Sequence, residues 1–181
     1  MPQTLPVIQD QPAPLSGFDF DEKLAAHKID LRAGRVGTLQ VNVGKLCNQA
    51  CKHCHVDAGP KRTEIMTRET AEQVIEAVRK FRFPTLDITG GAPELNPSFR
   101  YLVAAARLLG AHVMVRHNLS VMFEPGQEDL PEFFREHAVE VVSSLPYFLE
   151  QQTDAQRGQG VFEKSIKALH SLNEVGYGVE A

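Results

Sequence analysis

The sequence predicts an α/β fold built on a parallel sheet, and three observations predict it. Short apolar runs with a period of two alternate with helix-length stretches in which apolar residues recur every three to four positions. The intervals between the runs are long enough for the right-handed crossovers that parallel strands require. Glycines and small polar residues gather just after the runs, where ligands bind both in closed or nearly closed (β/α) barrels and in open, doubly wound sheets. Both architectures satisfy these observations.

Residues 1–17 carry Pro2, Pro6, Pro12 and Pro14 among polar residues, so a flexible lead-in is expected there. Residues 18–36 read as an N-terminal helical extension: Asp19 can cap a helix, Glu22 follows at capping-box spacing, and Leu24 and Leu31 offer an apolar side to the main domain. The main domain runs over 37–181. Its first strand alternates Leu39, Val41 and Val43 with Gln40 and Asn42 and runs straight into a cysteine-rich loop. Thr67 then caps a helix with Ala71, Val74, Ile75, Val78 and Phe81 on one face, and Pro84 separates it from a second strand, Thr85–Thr89. Gly90-Gly91 follows at once.

Asn96-Pro97 reads as a cap with proline in the first helical position, Phe99, Leu102, Val103 and Ala106 as the buried stripe, and Gly110 as the terminator. The third strand is Ala111–Arg116, and His117, Asn118 and Ser120 open a polar loop. A helix over Leu130–His137 turns Phe133 and Phe134 inward, and the fourth strand, Val139–Ser144, closes at Leu145-Pro146. Gly158 and Gly160 punctuate the next loop. Phe162, Ile166, Leu169 and Val175 repeat at helical spacing, and Tyr177–Glu180 reads as the opening of a fifth strand.

Composition excludes several classes. With 43% apolar and 23% charged residues the chain is an ordinary globular one, and its net charge of −4 without a lysine-arginine block argues against nucleic acid as a partner. No apolar run approaches the ~20 residues that span a bilayer, and the N-terminus lacks a secretory pattern, so no membrane association and a cytoplasmic location are expected. The acidic run Glu124, Glu128, Asp129 and Glu132 reads as a solvated loop and helix start.

All three cysteines, Cys47, Cys51 and Cys54, fall within eight residues as C-x3-C-x2-C. An odd, tightly packed set makes no disulfide framework, and a reducing compartment keeps such thiols available for metal. Three thiolates from one loop can ligate three irons of a [4Fe-4S] cluster and leave the fourth open. The alternative is a zinc knot completed by His53 or His55, in a non-catalytic α/β module. An electron carrier would likewise have to borrow one of those histidines.

The cysteine run, with Thr89-Gly90-Gly91-Ala92-Pro93-Glu94 after the next strand, resembles the radical S-adenosylmethionine (SAM) superfamily over roughly residues 37–181. Asn42-Val43-Gly44, Cys54-His55-Val56-Asp57-Ala58-Gly59-Pro60 and Gly90 to Pro97 resemble, more narrowly, its arsenosugar-biosynthesis branch. The resemblance implies a partial (β/α) TIM-like barrel, here an N-terminal portion truncated at the start of the fifth strand and expected to be inactive by itself.

It further implies a [4Fe-4S] cluster held by Cys47, Cys51 and Cys54, with SAM chelating the open iron and cleaved reductively to a 5'-deoxyadenosyl radical. That radical abstracts a substrate hydrogen or, in the narrower branch, the adenosyl carbon is transferred to a methylated arsenical. The implied partners are a small-molecule substrate and an electron donor such as a flavodoxin or ferredoxin. Gly90 and Gly91 would offer carbonyls to the SAM ammonium, and His53 would stack on adenine. Asn118 with Ser143 or Ser144 would bond the ribose or carboxylate, and Arg157 would pair with the carboxylate. Ala92 stands where many relatives have glutamate, and Glu94, beyond Pro93, is the nearest carboxylate. For Asn118 and the serines the alternative is local backbone bonding, for Arg157 and His53 a solvated loop position, and for Gly-Gly-Ala-Pro a tight turn. Arg116-His117 reads as surface polarity or as a substrate contact.

Overall fold

A computed structural model describes residues 19–32 and 34–179. The lead-in expected over 1–17 lies outside the described residues. The chain divides after Arg35 into two units. In the first, α1 (Phe20–Ala26) starts as expected: the Asp19 carboxylate accepts from the Glu22 N–H, although no residue of this helix is buried.

The second unit is built on one parallel sheet in the order β1 (Thr38–Asn42), β2 (Thr85–Thr89), β3 (His112–His117), β4 (Glu140–Ser143). Its register explains how it buries a core. Side chains alternate between faces along a strand, so residues paired across parallel strands share a face. Leu39, Leu86 and Val113 lie in one row, and Val41, Ile88, Val115 and Val141 in the next. His117 and Ser143 close that face. The opposite face carries Gln40, Asp87, Met114 and Glu140, then Asn42 with Thr89 and Arg116 with Val142.

Only the first face joins the apolar core, with Ala71 and Val78 of α2 (Arg68–Phe81), Phe99 and Leu102 of α3 (Phe99–Leu108), Phe134 of α4 (Leu130–Glu136) and Leu172 of α6 (Val161–Glu174). A doubly wound sheet is covered on both faces and reads apolar on both. This sheet is apolar on one face and polar on the other, as in a barrel whose polar interior receives a ligand, and that decides between the two architectures.

Several elements differ from the sequence reading. The α2 helix is capped by Thr67, whose hydroxyl accepts from the Thr70 N–H, but Phe81 turns outward and is 63% exposed. Asn96 does not cap α3; Ser98 precedes it, and a short 3-10 turn spans Pro93–Leu95. Buried Asn96 instead donates to the carbonyls of Val43 (2.9 Å) and Met66 (3.1 Å), fastening the β1 exit to this turn. The polar loop expected after β3 is a 3-10 helix, Leu119–Phe123, with Leu119, Ser120, Val121 and Met122 buried.

A helix not anticipated, α5 (Glu150–Arg157), precedes Gly158, so Arg157 ends a helix. The α6 helix buries Val161, Ser165, Ala168 and Leu172, a row displaced from the Phe162 series. No fifth strand opens among the described residues. Gly176 and Gly178 take positive φ, Tyr177 folds back onto the Leu172 carbonyl, and its hydroxyl donates to Val139 O at 2.8 Å. No helix among the described residues is long and apolar enough to cross a membrane.

Candidate cofactor and active site

The site is assembled by continuing the β1–β2 pairing beyond the strands. Val43 N–H donates to Thr89 O, Gly91 N–H to Gly44 O, and Ala92 N–H to Leu46 O, each at 2.9 Å. Backbone therefore meets backbone immediately before Cys47. A Cβ on Gly91 would lie 2.4 Å from Leu46 O, and one on Gly90 2.9 Å from Gly44 O. These glycines are bare because the cysteine loop presses against them, which is a reason independent of any ligand.

The two loops form one wall of a cavity of about 620 Å³ at the carboxyl ends of the strands. Cys47, Cys51, Cys54, His53, Gly90, Gly91, Asn118, Ser144 and Arg157 all line it. Gln49, Gln40, Asn42 and Arg116 line it as well. The cysteines are free thiols. Cys47 is buried, and its Sγ accepts from Gln49 N–H (3.4 Å) and Asn118 Nδ2 (3.6 Å). Cys54 Sγ accepts from Ala58 N–H (3.3 Å). The Cys51 thiol donates to Gln49 Oε1 at 3.3 Å, and Arg157 Nη1 donates to the same oxygen at 3.5 Å.

Burial pushes the Cys47 thiol above its ordinary range despite its two N–H donors, and burial does the same to Cys51 despite nearby Arg157. The loop is also held from outside, since Lys52 N–H donates to Gln156 O of α5 at 3.1 Å. Among the described residues no three Cys, His, Asp or Glu side chains converge on a point where one ion could sit. In an iron-sulfur cluster each cysteine serves a different iron, and free thiols with N–H donors already directed at two of them suit that group.

On the polar face, Asp87 is pinned between Gln40 Nε2 (2.7 Å) and the Arg116 fork, whose Nε and Nη2 lie 3.0 and 2.9 Å from its two oxygens. Burial alone would raise the Asp87 carboxyl; the bonds from Arg116 and Gln40 outweigh it and hold the pKa below the ordinary range. A depressed carboxylate contributes stability above its unfolded pKa and loses it as pH falls through the folded value. In urea titrations across pH, the stability gap between wild type and Asp87→Asn should be constant near neutrality and narrow below about pH 4. A gap that does not narrow would contradict this assignment.

Four sequence candidates, Ala92, Pro93, Glu94 and Ser143, do not line the cavity. Ala92 and Pro93 are buried in the turn below the cavity, with the Ala92 N–H committed to Leu46 O. Glu94 does not substitute for the glutamate absent at Ala92: its carboxylate is sealed in the core, 2.5 Å from His117 Nδ1. His117 is accordingly buried and not surface polarity, although it also lines the cavity. Ser143 shares the helix-facing side of the sheet with His117, and the next residue, Ser144, reaches the cavity. Asn48, Gln49 and Gln40 were not singled out by sequence reasoning. The amide pair between the first two cysteines was the available signal, since polar side chains beside metal ligands fix the ligating loop through hydrogen bonds.

The family model of the radical SAM superfamily matches residues 41–180. The chain belongs to that superfamily. Radical SAM proteins are enzymes that work with a [4Fe-4S] cluster and SAM. Similar radical SAM proteins include the mycofactocin maturase MftC of Mycolicibacterium smegmatis, 27% identical over 136 residues, covering 72% of this chain and 33% of that protein. The AdoMet-dependent heme synthase of Oleidesulfovibrio alaskensis is 30% identical over 138 residues, covering 74% and 34%. The chain thus spans about a third of the length of the curated relatives it matches. Streptococcus suis SuiB bound to S-adenosylmethionine shares the fold with a TM-score of 0.65 at 17% identity, over 88% of this chain and 38% of that one. The maturase and heme synthase give no support to the narrower arsenosugar resemblance.

Proposed function

We propose that this chain is the cluster- and SAM-binding portion of a radical SAM enzyme, with Cys47, Cys51 and Cys54 as the ligands of three irons. The observation that carries this reading is the convergence of the three free cysteines, Gly90-Gly91, Ser144 and Arg157 on one cavity at the carboxyl ends of parallel strands. When bound, the cluster supplies one electron to the sulfonium of SAM, which releases methionine and a 5'-deoxyadenosyl radical.

The chain's own residues bind, orient and exclude water. Gly90 and Gly91 offer main-chain carbonyls where no side chain obstructs a ligand ammonium. Arg157 presents a planar fork to a carboxylate from the end of α5, Ser144 a hydroxyl to the ribose, and His53, beside Cys54, a ring for adenine. A flavodoxin or ferredoxin serves as electron donor, in a reducing, cytoplasmic setting, and the substrate is a small molecule or peptide. A methylated arsenical as acceptor rests on the Asn42-Val43-Gly44, Cys54 to Pro60 and Gly90 to Pro97 motifs alone.

Anaerobic reconstitution tests the reading. About four irons per chain with brown absorbance are expected, and Cys51→Ala should lose both. One colourless zinc bound per chain, with no iron-sulfur absorbance, would overturn it.

A further inference from the structure

We propose that Asn118 is a positioning residue for the cluster: it donates to the Cys47 sulfur and thereby raises the cluster's reduction potential, and it does not contact SAM. The inference rests on the cluster reading above.

The argument is one of saturation. An asparagine amide offers two acceptor lone pairs and two N–H donors. Asn118 Oδ1 accepts from the Ser120 backbone N–H (3.3 Å) and the Ser120 hydroxyl (3.1 Å). Its Nδ2 donates to Asn48 Oδ1 (2.6 Å) and to Cys47 Sγ (3.6 Å). All four positions are taken, so no capacity is left for a ribose hydroxyl or a carboxylate. The orientation is fixed as well. A backbone N–H only donates, so the amide oxygen must face Ser120 and the NH2 must face the cysteine loop.

The partners are themselves locked. Asn48 Nδ2 donates to Ser120 Oγ (3.0 Å) and to the Glu124 carboxylate (2.9 Å), which forces its oxygen toward Asn118. Gln49 Nε2 donates to Ser120 Oγ at 2.7 Å. Asn118, Ser120 and Gln49 are all buried, so the network is shielded from competing water. It joins the end of β3 to the first cysteine across 71 residues of sequence. Cys47 thus has two N–H donors, whereas Cys51 faces a carbonyl oxygen and a guanidinium. Donors to a ligating sulfur stabilise the reduced, more negative cluster and raise its potential.

The test is an EPR-monitored redox titration of the reconstituted chain with Asn118→Asp and Asn118→Leu. Asn118→Asp keeps acceptors toward Ser120 and removes the donor; Asn118→Leu removes the donor without adding charge. Both should shift the ratio of oxidised to reduced cluster about tenfold at fixed potential, ~59 mV lower for a one-electron couple. The Fe–Sγ Raman bands of wild type should shift in deuterated buffer more than those of either variant. A wild-type potential in both variants, accompanied by weaker SAM binding, would overturn the proposal in favour of a ligand contact. Loss of the cluster from both variants with folding retained would also count against a tuning role. Failure of wild type to assemble a cluster would instead overturn the reading beneath it.

Discussion

Gly91→Ala is expected to destabilise the chain by about 3 kcal/mol and to abolish iron uptake, because overpacking against backbone has no flexible atom to absorb it. The added methyl would lie 2.4 Å from Leu46 O, 2.9 Å from Leu46 C and 3.0 Å from Ala58 Cβ. Relief requires separating the two loops, which breaks the bonds from Gly91 N–H to Gly44 O and from Ala92 N–H to Leu46 O. Leu46 adjoins Cys47, so the displacement passes directly into the cysteine loop. Gly37→Ala is the control, since nothing lies within 4 Å of a methyl there. Urea denaturation of the metal-free chain and iron content after reconstitution measure the two effects. A Gly91→Ala chain with the wild-type midpoint and full iron would refute the stitching argument.

The second large effect concerns the sealed pair. Glu94 and His117 have no exposed side-chain surface, and each keeps one polar atom, Oε2 and Nε2, without a partner among the described residues. His117 stands edge-on to Phe134 with ring centroids 5.4 Å apart. Deleting one member strands the other in an apolar setting, so Glu94→Leu alone should cost about 3 kcal/mol, and so should His117→Phe. The double variant should recover most of that loss, because matched removal strands nothing. Simple additivity of the two losses in the denaturation cycle would show that the pair is not coupled.

What the sequence revealed depended on whether the deciding force was local. Pro84 and Gly90 bracket β2, and its limits, Thr85–Thr89, were read correctly from those two residues. Thr67 gave the start of α2 in the same way. The α5 helix was invisible because EQQTDAQR buries only Thr153 and so shows no apolar stripe. Its distant partners lie in the cysteine loop, where Lys52 N–H donates to Gln156 O and Gln49 Oε1 accepts from Arg157 Nη1.

The site divided along the same line. The cysteine spacing is local and announced itself. Glu94 looked like a carboxylate at the ligand's side, but its partner lies 23 residues away, and no pattern in the GGAPE turn points to His117. Choosing between Ser143 and Ser144 needed the folded chain, in which Ser143 pairs with His117 on the helix-facing side of the sheet and Ser144 lines the cavity.

The register of the sheet also bears on how such a protein can diversify. Leu39, Val41, Leu86, Ile88, Val113 and Val115 carry the packing, while Gln40, Asn42, Thr89 and Arg116, interleaved with them along the chain, look the other way. Drift at odd and even strand positions is therefore answerable to different selective pressures. The polar face can be rewritten one residue at a time while its immediate neighbours in sequence continue to specify the same scaffold.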